Sequence, residues 1–336
     1  MTSSLFLQAF HGKNKRVPVW FMRQAGRYLP EYQAIRQKYS LAEMFHNPQI
    51  AAEITCLPVA YLNVDAAILF ADILTLPSQM GFDIQFNGTQ GPFIANPIVK
   101  SADVERIYDF KDLSHIEKII KLVNQRLPQD VPLIGFAGSP FTVLCYLIEG
   151  GSAVNFIKTL QFAYAQPQAF HQLMKKLTRN TIQYLQLQKN AGIKVFQIFD
   201  TWGGILRRED FQAWNLPYLQ QIFDAVDLPS MYYLKNSAHV LDMMEKSRAD
   251  VLSVCHTVDL NDPRLQKTHK GIQGNLYNAL LYADYEILKN EILKVLKSAQ
   301  HYKKYIFNLS HGIFPNVDVE KLKFTVEVVH GFSWDQ

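Results

Sequence analysis

Short apolar runs rich in β-branched and aromatic residues recur along the chain. Each closes on a small or polar residue, and most give way to a stretch with helical spacing of apolar positions. Eight runs stand out, at residues 17–22, 66–73, 131–138, 194–201, 228–236, 249–257, 270–277 and 304–311. Several are almost continuously apolar, such as AAILF and KVFQIF, the pattern of parallel strands covered on both faces. Helical spacing marks 50–63, 115–127, 165–190, 208–226, 238–248 and 279–299. Eight strands alternating with helices predict an α/β fold: a (β/α)8 barrel of the TIM type in which residues 80–99, partly alternating, form an inserted β-hairpin. A doubly wound sheet is the competing architecture, but its Gly-x-Gly-x-x-Gly fingerprint is absent, as is a Walker A loop. No repeat, low-complexity tract or Pro/Gly/Ser linker marks a boundary, so residues 1–336 read as one domain.

Composition narrows the function classes. The 336 residues are 48% apolar and 19% charged, enough to bury a large core and unlike a disordered or fibrous chain. The net charge of +4 is spread without a basic tract, which argues against electrostatic capture of nucleic acid. Cys56, Cys145 and Cys255 lie far apart, so neither a disulfide framework nor a Cys-rich zinc site is encoded. In the first sixteen residues the basic side chains follow the short apolar stretch, the reverse of a secretory signal. The most apolar region, near 54–76, is broken by Asn63, Asp65 and Asp72 and does not read as a membrane span. A cytoplasmic protein is the expectation.

A barrel of this type places its chemistry where strands end, and polar residues fall there. The first run ends at Arg23, the second near Asp72, the fourth at Thr201 and the last at His311. Arg23, Arg27 and Arg36 put three guanidiniums on one segment, with Gly26 among them, which suits a substrate bearing several acidic groups. Pairing with Glu31 or Glu43 is the plainer reading of the same charges. Asp72 lies in ILFADIL, where a carboxylate needs donors or a cation. Held among arginines it is expected to stay ionised and to stabilise positive charge on a substrate, or else to close the barrel top as an ion pair. His311 reads as a hydrogen-bond donor or proton relay, or as a structural histidine. Tyr146, on the helical stretch after the third run, reads as a site residue or a core tyrosine. Cys255 and His256 are neighbours on a strand and point to opposite faces, so no metal site is expected.

The segments PVWFMRQAGRYLPEY and GFAGSPFTVLCYLIEGG, with DAAILFADIL, IFDTWGG, IQGNL and FNLSHG in order, resemble the signature segments of the uroporphyrinogen decarboxylase family over nearly the whole chain. The resemblance implies a homodimeric barrel that removes CO2 from the four acetate side chains of uroporphyrinogen III without a cofactor, giving coproporphyrinogen III. It implies that Arg23, Arg27 and Arg36 hold acetates and propionates, with the backbone at Gln24, Ala25 and Gly26 against the substrate. It places Asp72 on the pyrrole N–H groups, Tyr146, Thr201 and His311 on side chains, and Phe199 against the macrocycle. Asp72, Arg23, Arg27, Tyr146 and His311 are then the expected catalytic set, with Arg23 or Arg27 as the proton donor, directly or through water.

The C-terminal half departs from the family's usual pattern. The familiar Gly-His-Gly reads Ser310-His311-Gly312, and Asn-Leu-Asp-Pro reads Asn275-Leu276-Tyr277-Asn278. The usual acidic-Trp pair reads Cys255-His256, and Lys-Gly reads Lys235-Asn236. These changes put turn geometry and propionate contacts in question. Two other functions compete: a related corrinoid or thiol methyltransferase, for which the His-x-Cys zinc pattern is missing, and a weakly catalytic porphyrinogen-binding protein.

Overall fold

The structure, a computed structural model, describes residues 4–86 and 91–334. Its strands in chain order are β1 (Ala67–Ile68), β2 (Ile84–Phe86), β3 (Pro92–Ile94), β4 (Leu133–Gly138), β5 (Val195–Asp200), β6 (Ser230–Leu234), β7 (Val251–Ser253), β8 (Gly271–Gln273) and β9 (Tyr305–Ile306). Seven of them form one parallel sheet in the order β1-β4-β5-β6-β7-β8-β9. Each joins the next through a helical crossover, and the sheet curls in the manner expected of a barrel.

The first run, 17–22, takes the eighth position without becoming a regular strand. Val19 bridges Phe307 in parallel, and Phe307 N–H donates to Pro18 O at 2.9 Å. On the other side Asp65 N–H donates to Val19 O at 2.8 Å. Pro18 has no N–H to give, and the Val19 N–H goes to the Asp65 carboxylate at 2.8 Å instead of a strand partner. Asp65 also pairs with Arg16 at 2.7 Å and with His330 Nε2 at 3.0 Å. Burial pushes its carboxyl up, but His330 and Arg16 outweigh that and hold it below the usual range.

Regular pairing in the other runs is shorter than their apolar patterns because the ends hand their backbone groups to side chains. In 66–73, only Ala67–Ile68 is strand; Phe70 N–H donates to Thr55 Oγ1 at 3.0 Å and Asp72 N–H to Thr75 Oγ1 at 3.2 Å. The inserted hairpin is present as β2 against β3, with Gln85 opposite Phe93; its turn, 87–90, lies outside the described residues. The stretch 165–190 is the single helix Pro167–Ala191, preceded by a separate helix Ile157–Ala165, whereas 208–226 is divided into Arg208–Trp214 and Leu216–Ala225, with Pro217 in the first turn of the second. Proline lacks the N–H that would continue a helix and fits the start of the next. The stretch 279–299 is a 3-10 turn followed by Tyr285–Ala299, and 238–248 contains only Ala238–Val240 and Leu241–Glu245.

A continuous apolar core fills the space between sheet and helices. Inside the barrel a polar chain is threaded through it: Trp20 Nε1–H donates to Gln273 Oε1 at 2.8 Å, and Gln273 Nε2–H donates to Gln197 Oε1 at 2.9 Å and Ser253 Oγ at 2.8 Å. Such groups stay buried because they bond to one another.

Asp200, fully buried at the end of β5, is the densest polar junction. Its Oδ1 accepts from Ser139 Oγ (2.6 Å), Thr142 Oγ1 (2.7 Å) and Gly203 N–H (3.0 Å); its Oδ2 accepts from Asn215 Nδ2 (2.6 Å) and Tyr232 OH (2.7 Å). The chain must pass close by: a Cβ on Gly203 would stand 2.3 Å from Asp200 Oδ2, and one on Gly204 only 2.0 Å from Lys235 O. The two glycines of IFDTWGG are therefore set by close approach. Replacing Asp200 with Asn turns an NH2 donor toward groups that themselves donate. Each hydrogen bond to a charged group contributes roughly 1.5–3 kcal/mol, so Asp200→Asn is expected to lower unfolding stability by about 2–4 kcal/mol. Urea denaturation checks this, and a loss below about 1 kcal/mol would show that the junction is not a main support.

Candidate active site

The strand ends surround a cavity of about 540 Å³ whose wall includes Arg23, Ala25, Asp72, Tyr146, Phe199, Thr201 and His311. Phe199 and Thr201 both face it while Asp200 between them points outward to its five donors, as the two-residue period of a strand requires. Aromatic rings of Tyr32, Phe45, Phe70, Phe136, Trp202 and Tyr233 complete much of the wall. The arrangement is a few polar groups in an apolar enclosure, the usual composition of a small-molecule site.

Arg23 has φ 61°, a left-handed conformation that costs a non-glycine residue on the order of 1 kcal/mol. The bend carries its side chain across Gly312, where a Cβ would lie 2.4 Å from Arg23 Cδ. Gly312 thus makes room for the guanidinium. Gln24 is wholly buried and acts as a brace: its Oε1 accepts from Phe21 N–H at 3.0 Å and its Nε2–H donates to Ala66 O at 3.0 Å. Its carbonyl also accepts from Tyr28 OH. Gly26 permits a tight turn, since a Cβ would sit 2.9 Å from Arg23 O. Arg27 and Arg36 do not line the cavity; their charges act on Tyr32, whose ring does.

The electrostatic expectation for Asp72 changes. Burial, rather than a ring of arginines, dominates and raises its carboxyl above the usual range, with Leu74 N–H and the Arg23 charge as partial offsets. Its Oδ1 accepts from Leu74 N–H at 2.8 Å, and the other oxygen has no hydrogen bond among the described residues. His311 is pushed down to about 3, by burial first and then by Arg23, Lys235 and His256, so its imidazole is neutral near pH 7. It stacks on Tyr233 at 6.0 Å with rings 5° from parallel, and its Nδ1 lies 3.0 Å from Tyr233 OH. Tyr233 OH donates to Ser310 O at 3.0 Å. Tyr146 sits on the helix Pro140–Glu149, whose N-cap Ser139 is one of the donors to Asp200. Burial keeps its hydroxyl protonated well past neutrality.

Four of the departures from the family pattern, His256, Tyr277, Asn278 and Ser310, gather in one place. Ser310 Oγ lies 3.2 Å from His256 Nδ1 and donates to Asn278 Oδ1 at 3.3 Å, while Asn278 Nδ2–H donates to Gly312 O at 2.9 Å. The His256 ring packs against Tyr277, centroids 4.2 Å apart and planes tilted by 31°. Asn236 has φ 56°, which asparagine tolerates better than most residues, so the turn after Lys235 keeps its shape. Cys255 turns away from His256, accepting from Asn236 N–H at 3.2 Å and lying 3.0 Å from Thr257 Oγ1. Among the described residues no group of three His, Cys, Asp or Glu side chains could hold a metal ion.

Sequence reasoning did not single out Asp200, Trp202, Tyr233 or Lys235. Asp200 and Trp202 sit inside the quoted IFDTWGG, and strand alternation from Phe199 and Thr201 would have turned Asp200 outward. Tyr233 carries no signal of its own until the segment after β9, which is not a sheet neighbour of β6, supplies His311.

The chain matches the family model described as uroporphyrinogen decarboxylase over residues 1–332. It is 41% identical over 333 residues to a curated uroporphyrinogen decarboxylase from Thermodesulfovibrio yellowstonii, covering 98% of each chain. It is 41% identical over 337 residues to one from Geobacillus thermodenitrificans, covering 98% of this chain and 97% of that one. Among solved structures, a methyltransferase from Methanosarcina mazei shares the fold, with TM-score 0.79 and 18% identity over 97% of this chain and 98% of that one. A B12-independent methionine synthase from Shewanella sp. W3-18-1 does so at TM-score 0.61 and 11% identity, over 86% and 89% of the two chains. The methyltransferase likeness is one of fold alone, whereas sequence identity runs the length of the chain: it belongs to the uroporphyrinogen decarboxylase family.

Proposed function

We propose that this protein decarboxylates the four acetate side chains of uroporphyrinogen III to methyl groups, giving coproporphyrinogen III. The observation that carries the reading is Asp72, one oxygen tied to Leu74 N–H and the other without a partner among the described residues, in a cavity that Arg23 also lines. A polycarboxylate with inward N–H groups complements that pair. Arg23 matches the acid groups, and the Asp72 oxygen accepts from the pyrroles.

The chemistry needs an electron sink, and the substrate carries one. A proton added to the pyrrole α-carbon next to the carbon that bears the acetate makes the ring cationic. The C–CO2 bond then breaks, its electron pair flowing into the ring and leaving an exocyclic methylene. A proton on that methylene and loss of the ring proton give the methyl group, with one proton consumed per CO2 released. Asp72 faces the cationic stage. An electrostatic group of this kind contributes on the order of 3 kcal/mol, strengthened by the surrounding Phe70, Phe136 and Phe199 rings, which keep water out. Of the two arginines considered as proton donors, Arg23 lines the cavity and Arg27 does not. A free guanidinium with a pKa of about 12.5 or more is a weak acid, so in this proposal Arg23 holds the acetate and water delivers the proton. His311, neutral, and Tyr146 and Thr201 hydrogen-bond the remaining side chains, and Phe199 packs on the macrocycle. Arg27 and Arg36, beside Tyr32, meet carboxylates that extend past the cavity wall. The homodimer implied by the resemblance and action in the cytoplasm belong to the same proposal; among the described residues no helix is long and apolar enough to cross a membrane.

Incubation with uroporphyrinogen III, anaerobic and dark, is expected to give four-carboxylate product through seven-, six- and five-carboxylate intermediates; unchanged substrate from folded protein would overturn the reading. Asp72→Ala is expected to abolish turnover. A rate above about a tenth of wild type, a barrier change below ~1.4 kcal/mol, would remove Asp72 from the mechanism. Because His311 is pushed down to about 3 and Asp72 is displaced upward in the free protein, the acid limb of kcat/KM belongs to Asp72, with activity falling as pH drops and the carboxylate takes a proton. Arg23 holds that carboxyl down, so Arg23→Gln should move the limb to higher pH; an unmoved limb would assign it to another group. Sedimentation velocity is expected to find a dimer at micromolar concentration, and a monomer there would end that part of the proposal.

A further inference from the structure

Lys235 has no role in the site as described above, yet the fold delivers it there. It follows the last residue of β6 and lies two positions beyond Tyr233, whose ring lines the cavity. Strand alternation therefore turns Lys235 to the same inner side. Its backbone is fixed on both flanks: Lys235 N–H donates to Asp200 O at 3.3 Å, and Lys235 O packs where only Gly204 leaves space. The ammonium stands 5.4 Å from the centre of the Trp202 ring, and Trp202 is part of the cavity wall. A cation over an indole face is held by the ring's quadrupole. Its charge reaches His311, another lining residue, and His256. The side chain is half-buried, and among the described residues no carboxylate pairs with it.

A half-buried cation with no acidic partner among the described residues is left to pair with something that enters the site. Order around the barrel says what that is. Counting 17–22 as the first position, β1, β4, β5 and β6 are the second to fifth. Arg23 leaves the first position and Lys235 the fifth, half a turn apart in a ring of eight. We infer that Lys235 is a second carboxylate-binding residue of the site, gripping a side-chain carboxylate of the substrate across the barrel mouth from Arg23. Two cations on opposite edges fit a macrocycle with acid groups around its rim, since each reaches an acid group on a different edge. Lys235 binds the substrate in ground and transition states alike, so its contribution belongs in KM rather than kcat. The inference rests on the decarboxylase reading.

The test compares wild type with Lys235→Met, which keeps the hydrocarbon over Trp202, and Lys235→Arg, which keeps the charge. With uroporphyrinogen III, Lys235→Met is expected to raise KM about tenfold, or 1.4 kcal/mol, with kcat within about threefold, and Lys235→Arg to restore most of the loss. Fluorescence titration with oxidised uroporphyrin III, which does not react, should show the same weakening. A KM and a titration within twofold of wild type in Lys235→Met, or a loss that Lys235→Arg does not restore, would overturn the inference while leaving the decarboxylase reading intact. If Lys235→Met does not fold, the titration with Lys235→Gln decides by the same limits. A wild-type protein that neither binds uroporphyrin nor consumes uroporphyrinogen would remove the reading itself and the inference with it.

Discussion

One buried carboxylate organises the working end of this barrel. Asp200 draws donors from the helix that carries Tyr146, from the turn that carries Thr201 and Trp202, from Asn215 between two helices and from Tyr232 on the neighbouring strand. An unpaired carboxylate at that depth would be costly, so satisfying it requires these segments to converge. The convergence brings the end of β6 against the turn after β5, with Gly203 and Gly204 making the approach possible. Asp200 does not line the site cavity, and its effect is to place residues that do.

Within the cavity, burial sets the charge states more than neighbouring charge does. Asp72 is raised although Arg23 is near, and His311 is lowered in the same sense as the surrounding cations would lower it. The two shifts serve one purpose. A neutral imidazole can hydrogen-bond without adding to the positive charge already present, and a carboxylate in an apolar wall interacts strongly with a cation forming beside it. The strained backbone of Arg23 and the missing side chain at Gly312 belong to the same design, since together they bring the guanidinium into the cavity.

The cluster of His256, Tyr277, Asn278 and Ser310 gives the divergent C-terminal half a physical account. These residues, far apart in sequence, bond and pack on one another behind His311, and Asn278 holds the Gly312 carbonyl. What read as four separate departures from the family pattern is one repacked support that leaves His311 in the cavity wall.

The sequence alone determined the alternation of strands and helices, because continuous apolar runs and helical periodicity are local properties of the chain. It also placed Arg23, Asp72, Thr201 and His311 at strand ends, since a strand's end is marked by its own residues. It did not determine where those strands stop pairing, because Thr55 and Asp65 take backbone N–H groups from other segments and Thr75 takes one from its own turn. Nor did it distinguish Arg23, inside the cavity, from Arg27 and Arg36 outside its lining; three arginines on one segment look alike until the chain bends at φ 61°. The protonation of Asp72 and His311, the junction at Asp200 and the approach of Lys235 to Trp202 were decided by tertiary structure alone. Each depends on burial and on partners from distant segments, and neither is encoded at the position itself.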